Sequence, residues 1–312
     1  MTSSYFALGY KCNHSCSICP LTTVDRLHAS FSREKVLNQL DAIGFGRGDH
    51  VTISGGEPTL VPYLLELISI LACKGVQMTL LTNCSGFADD LEFAKALDTV
   101  GGEYISVTTA LHAVNPEIHD AITRVAGSFD RSITGIHNLV SVGIHVTVKH
   151  IICALTYLEL HELARFVITE FPNRVDVLYT SMDYSGRASK NKGELFASFA
   201  QTQDSWENAM DLLICNSFPF GILESPLCSC DPCYWKYFSL HSRSLRAYIA
   251  PNATSKENID FNTAGNCRSD YPPCQNCDVM HYCTGVWRSA YEIGGDTLLR
   301  PIKLIPLRDK EE

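Results

Sequence analysis

The chain has 312 residues, 46% hydrophobic and 19% charged, with 25 basic against 34 acidic side chains and a formal charge of −9. That is core material for one large domain or a large and a small one, and the acidic balance, without a Lys- or Arg-rich run, argues against nucleic acid as a partner. Residues 1–4 carry no basic n-region, and the most apolar segment, 60–73, is interrupted by Pro62 and Glu66. Neither a secretory signal nor a membrane span is read, and a soluble, cytoplasmic protein with reduced thiols is expected.

A strand is predicted over 5–10. Directly after it come Cys12, Cys16 and Cys19, spaced CxxxCxxC. Three thiolates on one tight loop can hold three irons of a cubane iron–sulfur cluster. Such clusters usually take four cysteines, so this loop leaves one iron open to an outside ligand. The same triplet also fits half of a zinc site, or disulfide partners in a secreted domain. A helix over 32–43 follows, with Val36, Leu37, Leu40 and Ile43 at helical spacing. The strand 51–54 then runs into Gly55, Gly56, Glu57 and Pro58. The paired glycines let a ligand approach the backbone closely, and Glu57 can accept hydrogen bonds from an ammonium group.

Strand and helix signals keep alternating. A helix carries Leu64, Leu67, Ile68 and Leu71 on one face; strands are read at 78–82, 104–111, 144–152 and 175–181, and helices at 91–97 and 132–141. Thr156, three residues before Glu159, reads as a capping box opening a further helix. Six strands alternating with helices give an α/β fold with a parallel sheet and right-handed crossovers. Pattern alone does not separate a doubly wound sheet from a barrel, but in both the ligand sits at the carboxyl ends of the strands. A helix is read over 194–206, after which alternation stops. This places a boundary near residue 200, with a core domain over 1–200, a cysteine-rich domain over 201–300 and a charged tail over 301–312.

Fourteen cysteines is a high count. Cys228, Cys230 and Cys233 precede a hairpin predicted at 248–252, and Cys267, Cys274, Cys277 and Cys283 follow it. The last three form CxxCxxxxxC, and with Cys267 they offer four thiolates for zinc or an iron–sulfur cluster. Taken with the N-terminal triplet, iron–sulfur is the favoured reading. Cys228, Cys230 and Cys233 can exchange into that set, hold a second cluster or leave one thiol unligated. Cys73, Cys84, Cys153 and Cys215 stand alone and read as core. The histidines lack metal spacing; His112 and His119 read first as surface or capping residues, with substrate contact as the alternative.

These motifs together resemble those of radical S-adenosylmethionine (SAM) enzymes. Cys12, Cys16 and Cys19, with apolar Ile18 between the last two, match the cluster motif, and Gly55, Gly56, Glu57 and Pro58 match the GGEP motif that binds the methionine amino group. The segments Ile105 to His112, Asn115 to Asp120 and Gly127 to Phe129 resemble the family's fourth strand and its sequel. The resemblance implies a partial (β/α)6 barrel, a [4Fe–4S] cluster chelated by SAM, reductive cleavage of SAM by an external electron donor, and hydrogen abstraction by the resulting 5′-deoxyadenosyl radical. It also implies SAM contacts at Asn83, Ser106, Thr108 and Lys149. Gly186, Arg187 and Ala188 resemble a segment common after strand six in peptide-modifying members.

The C-terminal cysteines resemble a SPASM or twitch extension, which implies at least one auxiliary [4Fe–4S] cluster; Trp287 stands where SPASM domains continue with a cysteine. An auxiliary cluster can take up an electron or ligate substrate, and an unligated cysteine can return a hydrogen atom. The expected function is modification of a ribosomally made peptide by cross-linking, oxidation or epimerisation, although no separate leader-peptide domain is read at either end. The alternatives are a radical SAM dehydrogenase acting on a small molecule and a non-enzymatic zinc or iron–sulfur scaffold.

Overall fold

The structure, a computed structural model, describes residues 2–21, 31–171, 174–239, 244–250, 253–255, 259–260, 267–268 and 270–304. Seven parallel strands pair in sequence order: β1 (Thr2–Ala7), β2 (Asp49–Ser54), β3 (Gln77–Leu81), β4 (Ile105–Ala110), β5 (His145–Ile152), β6 (Val175–Ser181) and β7 (Phe220–Leu223). They curl into a partial barrel of the expected α/β kind. The crossovers run through α1 (Arg33–Ile43), α2 (Leu64–Cys73), α3 (Ser85–Ala88), α4 (Leu91–Gly101), α5 (Pro116–Thr123), α6 (Ser128–Ser141), α7 (Leu160–Glu170), α8 (Lys192–Leu195) and α9 (Phe199–Cys215).

Local chemistry sets several helix ends. Ser32 caps α1 by accepting from the Lys35 N–H, and Gly44 closes it in the left-handed region. Asn115 accepts from the Glu117 N–H with Pro116 opening α5. Along β5, Val146, Val148, His150 and Ile152 are buried while Lys149 is half-buried and borders the interior cavity. Phe6, Ile53, Leu67, Leu71, Tyr179 and Trp206 are among the fully buried core side chains.

Three details differ from expectation, and a fourth concerns where the sheet runs. Thr156 does not cap a helix: its hydroxyl donates to the Ile151 carbonyl (2.8 Å) and accepts from the Cys153 N–H (3.0 Å). The helix read over 132–141 starts earlier, at Ser128. The helix read over 194–206 is two helices, and a capping box forms between Ser198 and Gln201 at the start of α9. Finally, the boundary near residue 200 falls at the start of α9, and β7 beyond it still belongs to the barrel sheet.

The C-terminal segment joins the same sheet. β8 (Ser244–Ala250) pairs parallel with β1, and β9 (Ala253–Ser255) and β10 (Ile259–Asp260) pair antiparallel with β8. The predicted hairpin is therefore present, with its residues 251–252 outside the described residues. β11 (Cys267–Arg268) pairs antiparallel with β12 (Val286–Trp287), flanking α10 (Pro272–Gln275), and α11 (Arg288–Gly294) follows. Most of the predicted tail, 305–312, lies outside the described residues. Among the described residues no helix is long and apolar enough to cross a membrane.

Candidate active site

The chain leaving β1 lies directly on the turn that ends β2. The Gly56 N–H donates to the Gly9 carbonyl (2.7 Å), and the Glu57 N–H donates to the Lys11 carbonyl (2.8 Å). A Cβ built on Gly55 would overlap the Gly9 oxygen, and one built on Gly56 would overlap the Lys11 oxygen. Gly55 also has φ +134°, which only glycine adopts without strain. The chain's own backbone makes a close approach here, and both glycines also line the cavity described below. The glycine pair seats the segment that carries Cys12, Cys16 and Cys19.

That loop is fixed from two further sides. The Ser15 and Ser17 N–H groups donate to the Thr123 (3.0 Å) and Ile122 (2.7 Å) carbonyls at the end of α5. Arg187 donates from its backbone to the Cys19 carbonyl (3.0 Å) and from its guanidinium to the Cys16 carbonyl (3.1 Å). The Asn191 amide donates to the Ser17 carbonyl (2.9 Å). Ile18 is 3% exposed and packs in the core cluster that contains Ile122 and Met182, so it anchors the loop.

Cys12, Cys16 and Cys19 line one open cavity at the carboxyl ends of the strands, together with Gly55, Gly56, Glu57, Asn83, Thr108 and Lys149. Its empty volume is about 810 Å³, part of it open to solvent. Ser106 is not at this cavity. It is the second residue of β4, at the amino end, and its hydroxyl is engaged with Thr79 (3.2 Å) and the Met78 carbonyl (3.2 Å). Pro58 is buried and opens a short turn behind the cavity wall.

Glu57 is 2% exposed. One carboxylate oxygen accepts from the Thr59 N–H (3.1 Å), the Thr59 hydroxyl (2.7 Å) and the Thr82 hydroxyl (2.6 Å), and the other accepts from the Asn83 N–H (2.8 Å). Burial pushes its pKa up while these donors pull it back. Three of the four donors meet Oε1 and one meets Oε2, so Glu57 braces the turn while it lines the cavity. Asn83 donates to the Asn13 side chain (2.7 Å), tying the end of β3 to the cysteine loop. Lys149 stands 3.9 Å from Glu224.

His14, His112 and His119 also line the cavity, and both His112 (4% exposed) and His119 (1% exposed) are buried rather than superficial. The His112 N–H donates to Nδ1 of His119 (3.3 Å), which places the proton of the neutral His119 ring on Nε2. That Nε2, and Nδ1 of His112, have no hydrogen-bond partner among the described residues. Neither histidine has metal spacing, and in the sequence substrate contact stands only as the second reading of the pair, behind surface or capping roles.

The residues fit a bound cluster and cosubstrate in three respects: soft thiols on one loop, polar groups at the strand ends opposite, and buried unpartnered ring nitrogens in the wall. Among the described residues no three His, Cys, Asp or Glu side chains converge tightly enough to hold a single metal ion. A cubane asks instead for one thiolate at each of several irons.

The C-terminal cysteines separate into distinct places. Cys228, Cys274, Cys277 and Cys283 line a second cavity, of about 360 Å³ empty volume. Burial pushes the Cys228 thiol up to about 11, and the sulfurs of Cys283, Cys274 and Cys277 push the same way. Cys230 is buried in the main core, and Cys233 is exposed. The Cys267 backbone pairs with Trp287, and its side chain lies outside what is described. Cys84 and Cys153 are buried as expected. Cys73 and Cys215 are exposed, because each is the last residue of its helix, α2 or α9, beyond the buried stripe.

Residues 7–167 match the sequence model of the Radical SAM superfamily. Among curated proteins, the Fe-coproporphyrin III synthase of Methanosarcina barkeri is 28% identical over 185 residues, 59% of this chain and 45% of that protein. The mycofactocin maturase MftC of Mycobacterium tuberculosis is 30% identical over 136 residues, 44% of this chain and 34% of that protein. The chain thus spans less than half the length of these relatives. Among solved structures, Streptococcus suis SuiB bound to its precursor peptide SuiA aligns with TM-score 0.60 at 16% identity, over 91% of this chain and 71% of that one. anSMEcpe with bound AdoMet aligns with TM-score 0.65 at 12% identity, over 96% and 92%. With the family match covering just over half of its length, and the cysteine loop seated at the mouth of a partial barrel, this chain belongs to the radical SAM superfamily, whose cofactors are SAM and a [4Fe–4S] cluster.

Proposed function

We propose that this protein is a radical SAM enzyme that modifies a ribosomally made peptide. The observation that carries the reading is the shared cavity: Cys12, Cys16 and Cys19 meet the Gly55–Gly56–Glu57 turn and the strand-end groups of Asn83, Thr108 and Lys149 around one opening. In this reading the three thiols hold three irons and leave the fourth to SAM. When bound, cluster and SAM supply a 5′-deoxyadenosyl radical that takes a hydrogen atom from the substrate, on delivery of one electron from an external donor. The chain's own part is placement. The glycine turn, α5 and Arg187 hold the loop, Glu57 braces the floor, and Lys149 brings a cation to the wall.

A peptide substrate is supported by the names of similar proteins: a mycofactocin maturase, SuiB bound to a precursor peptide and anSMEcpe with bound peptides. A small-molecule substrate is the second reading, favoured by the relative named Fe-coproporphyrin III synthase. The cysteine-rich segment after β7 is read as an auxiliary-cluster domain, and the cytoplasm as the compartment.

The test is anaerobic purification with iron and sulfide counts on wild type and on the Cys12→Ala/Cys16→Ala/Cys19→Ala variant. The variant is expected to keep about four irons, one cubane, and to lose cleavage of SAM to 5′-deoxyadenosine. Retained cleavage overturns the reading, and zinc in place of the residual iron removes the auxiliary cluster from it.

A further inference from the structure

We infer that the auxiliary cluster is held by Cys228, Cys274, Cys277 and Cys283, and that these four thiolates close it to substrate. The inference rests on the iron–sulfur reading of the C-terminal cysteines given above. It names a ligand set that CxxCxxxxxC spacing does not provide, because Cys228 lies 46 residues before Cys274 in the chain.

Three observations carry it. First, these four cysteines line one cavity whose other walls include Leu227, Val279, Met280, Val286 and Leu299. These largely apolar walls leave the four cysteine sulfurs as the thiol donors facing the space among the described residues. Second, backbone donors already point at the sulfurs. The N–H groups of Leu227 and Gly285 both donate to Cys283 Sγ (3.3 Å each), and the Ile302 N–H donates to Cys277 Sγ (3.4 Å). Hydrogen bonds to sulfur stabilise its anionic form. Gly285 has φ +82°, a conformation that glycine adopts readily. Third, the two distant segments are tied together where they meet: the Thr284 hydroxyl donates to the Ser225 carbonyl (3.1 Å).

The other candidates from the first trio are turned away. Cys230 is 1% exposed within the main core, beside the Ser229 hydroxyl (3.8 Å). Cys233 is exposed, and besides desolvation the carboxylates of Asp231, Glu207 and Asp211 oppose its thiolate. Cys228, Cys230 and Cys233 therefore face three different surroundings and do not form a second site together. A cubane with a thiolate on each iron has no position left for a substrate atom. Only electron exchange without a new iron–ligand bond remains open to it.

The test is made in the full-length Cys12→Ala/Cys16→Ala/Cys19→Ala background, so that the auxiliary cluster alone is read. Iron and sulfide counts and electron paramagnetic resonance of the reduced protein are compared after adding Cys228→Ala, Cys228→Ser, Cys230→Ala, Cys233→Ala or Cys267→Ala. Cys228→Ala is expected to lower the retained iron below about four per chain, with a three-iron signal on oxidation. Cys230→Ala, Cys233→Ala and Cys267→Ala are expected to keep the count and the spectrum. Cyanide, as a probe for an open iron, is expected to leave the parent spectrum unchanged. Should Cys228→Ala fail to fold, Cys228→Ser keeps the volume, and an altered spectrum there carries the same meaning. A full count with an unchanged spectrum in the Cys228 variants, loss of the cluster in Cys267→Ala, or a cyanide-shifted parent spectrum would each overturn the assignment. Zinc or no metal in the parent would instead overturn the iron–sulfur reading itself.

Discussion

Gly186 lies against the carbonyl of Pro20, so closely that a Cβ built on the glycine would overlap that oxygen. The contact brings the segment after β6 onto the chain just beyond Cys19, and Arg187 follows with its hydrogen bonds to the Cys19 and Cys16 carbonyls. The cysteine loop is therefore held from the far side of the barrel as well as from the glycine pair beneath it.

Gly186→Ala is expected to disturb the loop. Gly186 has φ +58°, where a residue with a Cβ is disfavoured by roughly 1–2 kcal/mol before any contact is counted. The overlap with Pro20 adds to this and displaces Arg187. Iron should fall toward about four per chain, the auxiliary cubane alone, and 5′-deoxyadenosine formation should drop at least tenfold. Gly143→Ala is the control. It has φ +100° with nothing near its Cβ position, so it should cost stability without loss of iron. Equal iron in both variants would show that the Gly186 contact does not hold the loop.

Glu57→Gln tests the brace. The amide keeps the shape but replaces one acceptor oxygen by a donor, which must face either the Asn83 N–H or the Thr59 and Thr82 donors. A buried donor left without an acceptor costs about 1–3 kcal/mol. The expected outcome is a lower unfolding midpoint in urea together with weaker SAM binding in calorimetry. Weaker binding at unchanged stability would instead make the carboxylate a direct contact.

Asn83→Ala removes the link to Asn13 (2.7 Å) and the acceptor for the Ser85 N–H (3.0 Å) at the start of α3. The loss should appear as weaker SAM binding, by about tenfold if one strong hydrogen bond is involved. The circular dichroism spectrum should change little, since α3, the helix whose first turn is affected, is only four residues long.

What the sequence made legible was chemistry at short range. The CxxxCxxC triplet, the GGEP turn and six of the seven parallel strands could be read because each is a contiguous pattern. β7 could not: Phe220–Leu223 is four residues long, too short to show a period. The glycine pair was legible, but its seating of Gly9 and Lys11 was not, because these come near only when β1 and β2 pair. The same holds for Gly186 against Pro20. His112 and His119 read first as surface or capping residues and second as substrate contacts; only the folding of α5 against the end of β4 buries them. The place of Cys228 likewise depends on tertiary closure, since nothing in its local CxCxxC run separates it from Cys230 and Cys233.

Those buried histidines give a pH dependence with a definite sign. Burial holds both His119 and His150 down at about 4 from an ordinary 6.5, and it holds His112 well below its ordinary value, with His119 and His150 adding to the effect. Below pH 6.5 the unfolded chain takes up protons that the folded chain refuses. Stability is therefore complete above the unfolded value and is lost as pH falls toward about 4. Each of His119 and His150 can account for up to about 3 kcal/mol over that window. Urea unfolding of the apoprotein should show a free energy that is flat near pH 7.5 and declines steeply between about 6.5 and 4.5. His150→Asn retains a donor for the Leu111 carbonyl, which His150 Nδ1 meets at 2.9 Å, and removes one titrating ring. It should lower stability at pH 7.5 yet make the acid slope shallower by about one proton. An acid slope equal to that of wild type would mean that the His150 ring is already protonated inside the fold.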